Sequence, residues 1–334
     1  MENNKIAVFG CKANTRFLIE ELRKFTQVDF LVTISPQVAE KNQVADFMDL
    51  SSWAEKTGTK VYVSRSYSLK DILDQQAIGE MRIDLAFVNG WQRLLPGEVL
   101  DTFSIGAFGM HGSAMNLPKG RGRSPMNWSI LEGRRYFYTN IFKYDPGVDS
   151  GGVLDTLKFQ ILDTDTAETM HYKNSLAMVS LIRLNWNRLK TGKFNLIPQK
   201  AHIKPTYYPK RNPRHNQIDF SEDILGIERL IRAVAPPFGG AYAYLDNGEK
   251  IIINRATIFD INDFYFQGMD EGVVVMVWPT GKFLVKCLGG LLLVHDYKSV
   301  SEVHQGHMFI QLAEDPIEGF ARNRFGFFDM ESDE

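Results

Sequence analysis

The sequence predicts an α/β chain: a doubly wound sheet over residues 1–204, then a small helix-plus-β domain, a barrel or a sandwich, over 218–325. Three observations carry this. Short apolar runs that end in glycine alternate with segments of helical periodicity through the first half. After residue 240, β-rich runs follow one another at close spacing with glycine turns between them. The chain has 334 residues and is 44% hydrophobic, too long for one ordinary core.

The elements follow in order. "KIAVFG", Lys5 to Gly10, reads as a buried parallel strand, because it is apolar without alternation and stops at glycine. In "NTRFLIEELRKF" the residues Phe17, Leu18, Leu22 and Phe25 recur at helical spacing, and "VDFLVTI" supplies the next strand. That is a βαβ unit, which opens a doubly wound sheet. "KVYVSRS" and "IDLAFVNG" add two strands around the helical "LKDILDQQAI", and "SIGAFGMH" runs as a strand into a glycine-rich loop. "TAETMHYKNSLAMVSLIRLNWNRLKTG" is a long amphipathic helix with Thr191-Gly192 as its stop, and it closes the first domain. "PTYYPKRNPRHNQ", residues 205–217, reads as an ordered linker, being proline-rich, aromatic and basic. "DFSEDILGIERLIRAVAPPFGGAYAYL" is a helix, a Pro-Pro turn and a strand. "KIIINRATIF", "EGVVVMVW" and "KFLVKCLGGLLLVHDY" complete the β-rich domain, and the acidic tail 326–334 is expected to be disordered.

Composition narrows the function classes. A net charge of −2 gives no general attraction to nucleic acid or to an anionic membrane. Two cysteines without pairing spacing, no long apolar run and no secretory n-region or h-region point to the cytoplasm. The first βα turn, "FGCKANT", has one glycine where a dinucleotide fingerprint needs three, and GxxxxGK[ST] occurs nowhere. Charge is uneven: after residue 215 there are 9 Lys/Arg against 19 Asp/Glu, leaving the first domain mildly basic.

One stretch carries chemistry, "GMHGSAMNLPKGRGRSPMNW", Gly109 to Trp128. His111 ends a strand and opens a glycine-rich loop, where open α/β sheets place their reactive groups. "YDPGVDSGGVL" puts Asp145 and Asp149 in a second such loop. Two loops at one sheet edge bring an imidazole and a carboxylate together, a pair suited to proton management in acyl or group transfer. No cysteine or second histidine stands at metal-ligand spacing, so no metal is expected. Arg121 and Arg123 either hold an anion or solvate their loop. Trp91 and Trp128 read as core or pocket wall.

"HGSAMNLPKGRGRSP" followed by "YDPGVDSGGVL" resembles the formyltransferases that use N10-formyltetrahydrofolate. "NGWQRLLP" is similar to that family's folate-binding strand end, and "IDFSEDILGIERLIRAVAPPFGGAYAYL" to the element after its catalytic domain. The motifs keep their order from about residue 5 to 300. The resemblance implies a Rossmann-like formyltransferase domain followed by an OB-like barrel, and transfer of a formyl group from the folate to a primary amine. His111 would stabilise the oxyanion and move protons, and Asp149 would assist proton removal from the amine. Gly90, Trp91, Arg93, Leu94 and Leu95, with Asp145 and Val148, would bind the folate.

One departure stands out. The family's catalytic Asn lies two residues before the His, and here that position is Gly109. Asn116, within a two-residue insertion, or a loop amide is expected to replace the lost donor, whose absence would cost on the order of 3 kcal/mol. Among acceptors, a nucleotide-linked amino sugar fits better than initiator methionyl-tRNA, since a tRNA needs a basic surface across both domains. Ser113, Arg121, Arg123, Tyr208, Lys210 and Arg211 are the candidates for that substrate. A homodimer is compatible with this architecture, and a non-catalytic binding homologue is the other reading of Gly109.

Overall fold

The computed structural model describes residues 4–209, 211–261 and 265–311. In chain order the first elements are β1 (Ile6–Phe9), α1 (Ala13–Leu22), β2 (Phe30–Ile34), α2 (Pro36–Lys41), α3 (Ser51–Lys56), β3 (Lys60–Ser64), α4 (Ile72–Met81), β4 (Leu85–Val88), α5 (Gly97–Leu100) and β5 (Gly106–Ser113). Then come β6 (Arg121–Gly122), α6 (Pro125–Leu131), β7 (Tyr136–Lys143), β8 (Val153–Gln160) and α7 (Ala167–Thr191). A seven-stranded sheet runs in the order β3-β2-β1-β4-β5-β7-β8. Strands β1 to β5 pair in parallel, and β7 joins β5 antiparallel.

The sheet is covered on both faces, which is why its strands read as unbroken apolar runs. Side chains alternate across a strand. Ile6 and Val8 therefore enter one core with Leu18, Leu22, Met178, Leu181 and Ile182, from α1 and α7. Ala7 and Phe9 enter the other with Ile78 of α4 and Val99 of α5. The Rossmann-like doubly wound arrangement of the first half is thus observed.

The remaining elements are β9 (Tyr207–Tyr208), a 3₁₀ turn (Pro213–Asn216), α8 (Ile224–Val234) and β10 (Ala241–Leu245). They are followed by β11 (Lys250–Asp260), β12 (Val274–Val277), β13 (Phe283–Cys287), β14 (Gly290–Lys298) and β15 (Phe309–Ile310). The Asp223 carboxylate caps α8 by accepting from Leu225 N at 2.8 Å, and Ile224, Ile227 and Ile231 bury one face of the helix. A curled six-stranded antiparallel sheet runs β12-β13-β14-β11-β10-β15, with irregular register along the long β11.

By compactness the chain divides into two units. The first comprises residues 1–121, 138–159 and 173–205; the second comprises 122–137, 160–172 and 206–334. Two stretches of the first 204 residues thus group with the later β-rich unit, where α6 meets α8 and Asn127 Nδ2 donates to Ala233 O at 2.6 Å. The tail 326–334 lies outside the described residues. Among those described, no helix is long and apolar enough to cross a membrane.

Candidate active site

Strand β5 carries Gly109 and His111 on one face, two residues apart. His111 is buried, and both ring nitrogens are engaged. Nε2 stands 2.7 Å from Gly120 O, and Nδ1 stands 3.3 Å from Asp149 Oδ2. A carbonyl only accepts, so Nε2 carries a hydrogen here, and proton exchange on the ring is left to Nδ1, against the carboxylate. The imidazole, which lies within β5 rather than at its end because the strand pairing with β7 continues to Ser113, therefore meets the carboxylate of the second loop. Across the strand pair His111 faces Asn140, a fully buried amide whose Oδ1 accepts from Thr156 Oγ1 at 2.7 Å.

Asp149 sits in a loop built to hold it. Asp145 Oδ1 accepts from Gly147 N at 3.1 Å and from Ser150 Oγ at 2.6 Å, which folds the segment back on itself. Asp149 adopts φ 49°, a left-handed conformation that Asp tolerates better than most residues. Gln199 Nε2 donates to both Asp149 O and Gly151 O, at 2.6 and 3.0 Å, and Gln199 Oε1 accepts from Arg121 at 2.6 Å. Gly151 has no room for a side chain, because a Cβ there would overlap the Lys143 carbonyl. Val148 is exposed.

At the end of β4, Gly90 takes φ 80°, and a Cβ there would stand 2.5 Å from Thr15 Oγ1. The turn is locked by Asn89, whose Nδ2 donates to Asn14 O at 2.8 Å and whose carbonyl accepts from Thr15 at 2.6 Å. Trp91 is buried edge-on to Tyr67 and Phe9, and its indole N–H has no hydrogen-bond partner among the described residues. Leu95 is buried, while Leu94 is exposed and the Arg93 guanidinium lies 5.0 Å from the centre of the Tyr67 ring.

The residues read as substrate contacts have other engagements. Ser113 is fully buried, and its hydroxyl accepts from Met115 N at 3.2 Å. Arg121 is buried against Gln199. Tyr208 is buried in the second unit, stacked on Trp128 with ring planes 7° apart, and its hydroxyl donates to Glu132 at 2.8 Å. Burial, with the Glu132 carboxylate adding to it, pushes that phenol's pKa up from its ordinary value. Arg211 lies over Trp128 and donates to His215 O. Arg123 is exposed, and Lys210 lies outside the described residues. Asn116 is exposed, with Oδ1 accepting from the neighbouring Leu117 N at 3.1 Å in its own turn.

The side chain that stands against Gly109 is Tyr144. A Cβ built on Gly109 would overlap its ring at Cε2 and lie 2.9 Å from Cζ and 3.0 Å from the hydroxyl oxygen. Tyr144 and Gln199 carry no signal in the linear motifs, since an aromatic after a strand and a glutamine in a loop are unremarkable in isolation. Among the described residues, no group of three or more His, Cys, Asp or Glu is placed to hold a metal ion.

Among solved structures, HypX from Aquifex aeolicus superposes with a TM-score of 0.61 at 15% identity over 90% of this chain. This chain spans 46% of HypX, about half its length. An N-formyltransferase from Helicobacter canadensis, in complex with folinic acid and dTDP-3-aminofucose, gives 0.63 at 17% identity, covering 88% of this chain and 100% of its own. WlaRD, a sugar 3N-formyl transferase seen with dTDP and 5-N-formyl-THF, gives 0.58 at 15%, covering 91% of this chain and 100% of its own. The family model described as formyl transferase matches residues 4–180, and that of the formyl transferase C-terminal domain matches 211–304. With both models met in order, and a paired His and Asp at the end of the sheet within the first, the chain belongs to the formyl transferase family.

Proposed function

We propose that the protein transfers the formyl group of N10-formyltetrahydrofolate to the primary amine of a nucleotide-linked amino sugar. The observation that carries the chemistry is the His111–Asp149 pair, held by Gly120 O on one side and by the Gln199 clamp on the other. The folate derivative is a substrate and supplies the formyl carbon. We assign its ring to the strand end at Gly90–Leu95, where Arg93 and Leu94 are exposed and the buried Trp91 indole N–H has no partner among the described residues.

In this reading the amine nitrogen bonds to the formyl carbon, and the carbonyl π pair moves to oxygen. Return of that pair breaks the bond from carbon to N10. One proton leaves the amine and one reaches N10, so the pair returns to its starting state. Asp149 takes the amine proton, and His111, proton-exchanging through Nδ1, passes a proton on toward N10, while the negative charge stays on the formyl oxygen until its pair returns.

The sugar acceptor is supported by the likeness to WlaRD, a sugar 3N-formyl transferase, and to the Helicobacter canadensis N-formyltransferase seen with dTDP-3-aminofucose, over 91% and 88% of this chain. It is also supported by the acidic later half, which suits a small ligand better than a long polyanion. Arg123, exposed, is the candidate for a phosphate. The test incubates the full chain with N10-formyltetrahydrofolate and dTDP- or UDP-linked amino sugars, with charged initiator tRNA in parallel, and follows tetrahydrofolate release. His111→Ala and Asp149→Asn are expected to lower kcat by at least about 100-fold. Asn tolerates the left-handed backbone at 149, so that change removes charge without a conformational penalty. No release with any amine, together with undetectable folate binding, would sink the enzyme reading; formylation of the tRNA alone would move the acceptor.

A further inference from the structure

We propose that the phenol of Tyr144 supplies the oxyanion donor that Gly109 lacks; the assignment rests on the formyl-transfer reading above. The argument starts from space. Gly109 and His111 are two apart on β5 and project to the same face, so a side chain at 109 would be the imidazole's neighbour. That place is filled from the adjacent strand. Tyr144 directly follows β7, and its N–H donates to Ala107 O at 2.8 Å, which sets the residue opposite Ala107 and diagonal to Gly109 on the same face. Its ring stacks on Phe142, the cross-strand partner of Gly109, with centroids 5.2 Å apart and planes 11° apart. The hydroxyl ends 3.0 Å from where a Cβ of residue 109 would be. Glycine at 109 and tyrosine at 144 are therefore one arrangement: the first makes room, and the second brings an O–H to the position an amide would have occupied.

The chemistry suits the position. Burial, with the Asp149 carboxylate adding to it, pushes the phenol's pKa above its ordinary value, so the group remains a protonated donor at neutral pH. A donor held by stacking needs no reorganisation when charge develops on the formyl oxygen. The other nearby amides are less suited. Asn116 is exposed and turned to Leu117 N. Asn140 accepts from Thr156 through Oδ1 and has an Nδ2 without a partner among the described residues, but it is fully buried, so that donor is closed off from a bound substrate.

The test compares Tyr144→Phe, Tyr144→Ala, Gly109→Asn and the Gly109→Asn/Tyr144→Ala double variant of the full chain, with N10-formyltetrahydrofolate and the amine the wild type uses. Tyr144→Phe keeps the ring and its stacking. It is expected to lower kcat by about 100- to 1000-fold with both KM values nearly unchanged, as for an interaction made only in the transition state. The double variant is expected to be at least about tenfold faster than Tyr144→Ala, because an amide regains the vacated space. Two results would overturn the assignment: Tyr144→Phe with wild-type kcat, or Gly109→Asn folding and turning over normally. A wild type that releases no tetrahydrofolate with any amine overturns the formyl-transfer reading and this one together, whereas an active wild type indifferent to Tyr144→Phe overturns this one alone.

Discussion

At the scale of single residues, what a position does depends on what surrounds it. Ser113 and Arg121 stand in the glycine-rich stretch and Tyr208 in the proline-rich segment 205–217, and by type alone each suits a substrate. The structure buries all three and pairs them internally, with Met115 N, Glu132 and Gln199 respectively. Steric room is equally illegible in the linear chain. Gly151 looks like one more turn glycine, yet a Cβ there would overlap backbone at Lys143. Gly151→Ala must push the loop that carries Asp149 away from the end of β7 at Lys143. It is expected to destabilise the protein by about 1–3 kcal/mol, measured by denaturant unfolding, and to lower kcat with it.

Elements decide how firmly the site is held. The loop 144–152 is tied by Asp145 at one end and by the Gln199 amide at the other, with Arg121 steadying Gln199. Gln199→Leu keeps similar bulk and removes both donors. The expected outcome is about a tenfold fall in kcat with an unchanged KM for the folate, since Asp149 is loosened while the strand end at Gly90 is untouched. In the second unit, Glu249 organises the turn after β14 by accepting from the backbone of Val300 and Ser301 and from the hydroxyls of Ser299 and Ser301. Those bonds, the Ser301 hydroxyl foremost, hold its carboxyl at a pKa of about 2, below the ordinary 4.5. Because the folded value is depressed, the stabilisation is complete above the unfolded value and is lost as pH falls from about 4.5 toward 2. Glu249→Gln should therefore flatten the acid limb of a Tm-against-pH curve over that window and leave its slope near neutrality unchanged.

For the whole molecule, a ligand that binds the native state must raise its stability. Folinic acid at 100 times its Kd is expected to add about 2.7 kcal/mol, visible as an upward shift in thermal unfolding. If the folate site lies on the seven-stranded sheet, the shift belongs to the first unit's transition; a shift confined to the second unit's would place the folate elsewhere. The architecture was open to sequence reasoning because periodicity reports burial. Strands covered on both faces read as continuous apolar runs, as in "IAVF", and α8 announced itself by Ile224, Ile227 and Ile231 and its Asp223 cap. The His111 and Asp149 loops were legible for a related reason: strand-to-loop transitions and glycine spacing are local. Contacts between residues distant in the chain were not legible. The filling of Gly109's space by Tyr144, the Gln199 clamp on Asp149 and the burial of Tyr208 under Trp128 join residues 35 to 80 apart in the chain. Sequence alone determined the βαβ order of the first strands, the helix-then-strands order of the later domain, and which strand and which loop carry the imidazole and the carboxylate, because hydrogen bonding and apolar burial impose short periods on the chain. Only the tertiary structure decided what fills the space around them, because excluded volume acts between neighbours in space and leaves no period along the chain.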